Sequence, residues 1–230
     1  MTVRPVNYEQ TDRRWKNILY SNHNDSSQTI GSSGCGPTCA AMVIATLKDS
    51  SVTPIETCSW AVQQGYRTDN NGTQWGYFRP QMAAYGLNCD DYTSAAATAV
   101  SAVEQGYLVI ALALKGLWTS SGHYILAYGT AGNYILVNDP NSTSASREKA
   151  LISTFKAQCS KFWIVREKWR DEAVEINTLE ISNLDTGKDV TVNAVNIDGS
   201  NYVQLRDLEK LFPVVIGNVG KKPTMKLNYK

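Results

Sequence analysis

One cysteine of this chain sits between two glycines and ahead of a proline, Gly34-Cys35-Gly36-Pro37, and the run that follows is apolar as far as Lys48. Proline suits a first helical turn, so the thiol lies where the unpaired N–H groups of a helix begin, and their partial positive charge favours thiolate. Thiolate is the nucleophilic form of the side chain, and the small neighbours let a substrate backbone come close. The same residues also suit a small packing thiol at a tight turn. Cys39, one turn further on among Ala, Met, Val and Ile, reads as a buried packing residue.

A nucleophilic thiol needs a base, and the chain has only two histidines. His23 lies in the polar string SNHNDSS and reads as exposed loop. His123 opens a strand-like run, 123–129, that faces a second run, 133–139, across Thr130-Ala131-Gly132. A three-residue hairpin loop ending in a left-handed Gly would set His123 opposite Asp139, with Cβ atoms about 5 Å apart. A carboxylate there can accept the imidazole N–H and support the imidazolium. Taken singly, His123 better suits a strand-edge histidine bound to backbone, and Asp139, before Pro140, an ordinary turn former; it is their opposition, together with Cys35, that points to catalysis. Acyl transfer further needs donors for the developing oxyanion; the Cys35 amide is one candidate and the Gln10 side chain another, although a Gln is ordinarily just solvated.

Several elements have to position these groups. A helix is expected from about Gly36-Pro37 through Lys48, followed by a polar, loop-rich stretch that holds residues 69–72. A second helix should cover residues 94–105, stopped by Gly106. Strands are expected at 107–114, 123–129, 133–139 and 162–169, with a helical segment at about 146–158. Antiparallel strands with helices gathered in the N-terminal part make an α+β domain. Aromatic side chains of the GTQWGYFRP and KGLWTSSG stretches, Trp75 and Trp118 foremost, are candidate substrate-binding walls, or else core.

Composition sets the bounds. The chain has 230 residues, 43% hydrophobic and 19% charged, which is ordinary globular composition and long enough for one or two domains. A net charge of +1 gives no global field for nucleic acid. No apolar run reaches the ~18 residues of a membrane span, and MTVRPVNYEQTDRRW lacks an apolar signal segment. The expectation is a chain made in the cytoplasm without a signal peptide. The five cysteines, without a CxxC pair, argue against both a disulfide framework and a zinc ribbon, so no metal or other cofactor is expected. The texture changes near residue 170, dividing the chain into domains 1–170 and 171–230. The second reads as two alternating strands, an Asp198-Gly199 turn, a short helix over 203–212 and two final strands.

Gln10, then GCGPTC, then GHYI, then NDPN resembles the papain-like cysteine peptidases related to the bacteriocin-processing, double-glycine leader peptidases, over roughly residues 5–168. The resemblance implies that Cys35 is the nucleophile, His123 the base, Asp139 the residue that orients the base, and Gln10 part of the oxyanion hole. Exporter-linked members carry membrane and nucleotide-binding domains, whereas this sequence has no GxxxxGK[ST] phosphate loop. Its last 55 or so residues are instead similar to a small domain that resembles the N-terminal domain of copper amine oxidases and is found appended to bacterial wall proteins. Residues 171–230 contain no His or Cys, so no copper site is implied. The expected function is a cysteine peptidase acting on peptidoglycan as a phage-type lysin or cell-wall hydrolase, reaching the wall after release, with the accessory domain a candidate wall binder. Alternatives are an N-acetylmuramoyl-L-alanine amidase or acyltransferase using the same residues, or a non-catalytic wall-binding protein.

Overall fold

The structure, a computed structural model, describes residues 4–69 and 72–169 and, beyond them, the backbone of five strands between 176 and 227. The chain divides into two compact units, Met1–Asp171 and Glu172–Lys230.

Helices gather in the first half of the first unit: α1 (Ile30–Ser33), α2 (Cys35–Leu47), α3 (Pro54–Gln63), a 3₁₀ turn (Trp75–Tyr77), α4 (Phe78–Ala83) and α5 (Ala96–Glu104). The sheet follows as β1 (Tyr107–Leu114), β2 (Gly122–Ala131), β3 (Tyr134–Asn138), α6 (Ala145–Glu148), β4 (Lys149–Leu151), α7 (Ile152–Gln158) and β5 (Cys159–Lys168). Its strand order is β4-β3-β2-β1-β5, with every neighbouring pair antiparallel. The class is α+β, as the sequence implies.

Strand β1 is almost continuously apolar because it is covered on both faces. Leu108, Ile110 and Leu112 point into one core with α2, Trp15, Phe78 and Trp163, while Val109, Ala111 and Ala113 point into a second core with α5 and Phe155. On β2 the same alternation sends Tyr124, Leu126 and Tyr128 to the first core and Ile125 and Ala127 to the second. Helix α2 is buried from Gly36 to Ala45 without a break, which explains why its sequence is apolar all round.

Two expectations about local structure are corrected. The segment 146–158 is not one helix: Lys149–Leu151 leaves helical geometry to pair with Leu136, Ile135 and Tyr134 at the sheet edge, so α6 and α7 are separate. The hairpin also has a different register. Its loop is Gly132-Asn133, with Gly132 at φ +56°, and Ala131 pairs with Tyr134. One extra residue, Tyr128, then bulges from β2, and beyond it Ala127 pairs with Val137 and Leu126 with Asn138. Asp139 therefore falls at the level of Ile125 and not of His123.

The second unit, taken by itself, contains β6 (Ile176–Asn183), β7 (Lys188–Ile197) and β8 (Ser200–Val203) in one antiparallel sheet, and β9 (Val214–Val219) with β10 (Lys222–Leu227) in another. The expected Asp198-Gly199 turn lies outside the described residues, as does the expected helix after its first residue, Val203, which ends β8.

Candidate active site

Cys35 is the first residue of α2 and is half-buried. The chain enters this helix tightly: a Cβ on Gly34 would stand 2.6 Å from the Ile30 carbonyl oxygen, and one on Gly36 would meet the Tyr124 ring at 3.1 Å and Thr73 Oγ1 at 3.2 Å. Glycine on both sides of the thiol thus answers to close packing. His123 and the backbone N–H groups of Tyr124 and Gly36 lie about the Cys35 sulfur and act on its thiol. Desolvation raises the Cys35 pKa, but His123 and those two N–H groups outweigh it, and the thiol titrates below its ordinary value. Desolvation likewise depresses His123, yet Asp139 and Cys35 together push it up to about 9. The pair therefore favours thiolate and imidazolium.

His123 Nε2 stands 2.7 Å from Asp139 Oδ1, an oxygen that also accepts the Asn141 N–H at 2.9 Å. The contact is made although the two residues are not opposite each other. Had the register set by the loop continued unbroken, Asp139 would face Leu126 and share the parity of the first core. The bulge at Tyr128 restores the parity that His123 and Ile125 share, and the carboxylate reaches the imidazole diagonally. His123 is 7% exposed and Asp139 1%, so little water competes for the bond.

Gln10, 5% exposed, lines the same cleft. Its backbone N–H donates to the Pro140 carbonyl at 2.7 Å, which ties it to the residue after Asp139. Its Nε2 donates to the Gly31 carbonyl at 2.9 Å, and since a primary amide carries two hydrogens, one is left for another acceptor. The structure thus brings Gln10, Cys35, His123 and Asp139 to one place, from the N-terminal segment, α2, β2 and the loop after β3.

The remaining candidates separate. Trp75 is 50% exposed on the wall of the cleft. Trp118 is 2% exposed, packs edge-on against Phe155 and donates its indole N–H to the Arg147 carbonyl at 2.9 Å; it belongs to the second core and is no cleft wall. His23 is exposed, with Nδ1 2.7 Å from Asn22 Oδ1. The other four cysteines are buried, and desolvation raises all of their pKa values: Cys89 and Cys159 to about 12, Cys39 and Cys58 well above the ordinary thiol value. The cleft, about 610 Å³, has Leu112, Leu114 and Trp75 as its apolar part, and Ser32, Ser33, Thr73, Thr119, Ser121, Gly72 and Gly122 as small neutral walls.

A model of the Peptidase_C39 like family matches residues 9–169. The chain belongs to that family. It is accordingly a cysteine peptidase, and its helix-borne thiol against an antiparallel sheet carrying the imidazole is the papain-like arrangement. Among solved structures this C39-like peptidase is similar to the peptidase domain of Streptococcus ComA, described as a bi-functional ABC transporter involved in a quorum-sensing pathway. The identity is 19%, the TM-score 0.43, and the match covers 57% of this chain and 88% of that one. No curated protein matches. No helix among the described residues of the C39-like peptidase is long and apolar enough to cross a membrane.

Sequence reasoning missed Arg147, whose Nη2 lies 2.7 Å from the second carboxylate oxygen of Asp139. No local pattern marks it; only the packing of α6 against the end of β3 brings it there.

Proposed function

We propose that Cys35, His123, Asp139 and Gln10 form the catalytic site of this peptidase and that its substrates are the stem or bridge peptides of peptidoglycan. The contact of Asp139 with His123, and of His123 with Cys35, carries the catalytic part of the reading. The thiolate attacks the scissile carbonyl carbon, and the oxyanion takes N–H groups from the Cys35 backbone and the free Gln10 amide hydrogen. Imidazolium gives its proton to the departing amine as the C–N bond breaks, leaving a thioester. Neutral imidazole then takes a proton from water, which displaces the thiol and releases the acid. Asp139 holds the imidazole throughout with Nε2 toward the carboxylate and Nδ1 toward sulfur.

For the substrate, the support is the small, uncharged cleft wall, which suits the Gly- and Ala-rich peptides of bacterial walls, and the resemblance of the second unit to domains appended to wall proteins. A double-glycine leader peptide is the second reading, favoured by the family. Digesting peptidoglycans of several species and a double-glycine leader peptide side by side, with mass analysis of the fragments, separates the two. New α-amino groups in stem or bridge peptides are expected, and Cys35→Ala should abolish them while leaving the chain folded. Release of lactyl-linked peptide would make the enzyme an amidase, and cleavage of the leader alone would overturn the wall reading.

A further inference from the structure

Asp139 is engaged on both oxygens. Oδ1 takes His123 and the Asn141 N–H, while Arg147 Nη2 stands 2.7 Å from Oδ2, out of hydrogen-bond alignment and so held as an ion pair. The Asp139 side chain is fully buried and that of Arg147 is 20% exposed. Arg147 is itself fixed from the far side: its Nη2 donates to the Trp118 carbonyl, and the Trp118 indole donates back to the Arg147 carbonyl. Trp118 is locked in turn by the second core. The clasp therefore runs from packed indole through guanidinium to carboxylate to imidazole to thiol.

The formal charges along this line balance. Thiolate and carboxylate are two negatives; imidazolium and guanidinium are two positives. Of the other ionisable groups nearby, Cys39 is held neutral by its burial, Arg4 and Glu148 pair with each other at 2.7 Å, and the buried Arg67, hydrogen-bonded to the Tyr20 and Gly72 carbonyls and to Gln28, adds a positive field at Cys35 that does not depend on Arg147. A buried cluster with one uncompensated charge is costly, and the cheapest relief for a surplus negative is to take up a proton.

We infer that Arg147 is a positioning residue of this site, holding Asp139 in the plane that presents Oδ1 to His123 and supplying a positive charge that favours Cys35 as thiolate. The inference rests on the assignment of Cys35, His123 and Asp139 as the reacting line. Removing the guanidinium takes one positive charge from the cluster, which strengthens proton binding at both Cys35 and His123. In Arg147→Gln, both limbs of the pH–rate profile should therefore move to higher pH.

The test uses the full chain, with the pH dependence of peptide cleavage and of Cys35 alkylation by iodoacetamide measured in parallel. Arg147→Gln should lower kcat by roughly tenfold or more, with KM little changed, and shift both limbs upward. Arg147→Lys, which keeps the charge, should leave the limbs in place and recover part of kcat. In an Asp139→Asn background, Arg147→Gln should cost much less than it costs in the parent, because its route to the imidazole is already cut. A fold-only role would give equal losses in both backgrounds, unmoved limbs and the same defect in Lys and Gln variants, and any of these overturns the inference. Should Asp139→Asn itself leave kcat unchanged, the underlying site assignment fails; if Asp139→Asn impairs cleavage and Arg147→Gln does not, the inference alone fails.

Discussion

At the residue scale, the chemistry of the site is a matter of which thiol is ionised. Five cysteines compete for any electrophile, but burial holds four of them protonated, whereas His123 and two backbone N–H groups draw the fifth toward thiolate. Iodoacetamide should therefore modify Cys35 first, and mass mapping of the first adduct checks this; an adduct on Cys89 or Cys159 would contradict it. The sign of the pH dependence follows from the same pair. In the proposed mechanism activity requires thiolate, so it should be lost as pH falls through the lowered Cys35 value, and it requires imidazolium, so it should be lost again as pH rises through about 9. Cys35 and His123 stood out in the sequence, the one between two glycines and the other as one of two histidines, whereas Asp139 was singled out only by pairing it with His123, and Gln10, one of nine glutamines, mainly by the family resemblance. Arg147 did not stand out, because nothing in its own neighbourhood, Ser144-Ala145-Ser146-Arg147, distinguishes it from a surface charge.

At the element scale, strands and helix α2 were readable because burial on all sides writes long apolar runs. Helix α3 was missed, although Thr53 and Glu56 cap each other across Pro54, a start signal visible in the sequence. The break between α6 and α7 had no such signal, since pairing of Lys149–Leu151 with β3 overrides local preference. The hairpin is the most instructive case: the expected contact of His123 with Asp139 exists, but through a bulge and a diagonal rather than through direct opposition. Helix α2 offers a further test. In Gly36→Ala the new methyl presses on the Tyr124 ring and Thr73, next to the sulfur, so we expect a loss of about 1–3 kcal/mol in urea unfolding together with reduced kcat. Unchanged kcat would show that this wall can give way without disturbing the thiol.

At the scale of the whole molecule, one sheet separates two cores, and the tryptophans singled out from sequence belong to different parts of that plan. Trp118→Ala empties a buried site in the second core and should cost about 3–5 kcal/mol, read as a lowered denaturation midpoint. Trp75→Ala removes a half-exposed wall and should change stability by no more than about 0.5 kcal/mol while raising KM for peptide substrate. Sequence could not rank the two, since exposure is decided by tertiary packing and not by the polar strings around each residue.

The short bond from the Gln10 amide to the Pro140 carbonyl has a mechanical consequence. Arg4 grips Asn138 at 2.7 Å and Asn138 grips the Val6 carbonyl at 3.1 Å, so the first described residues are laced to the stretch that carries the carboxylate. In the proposed mechanism oxyanion binding and proton transfer are thereby geared together, since a displacement of either backbone segment drags the other.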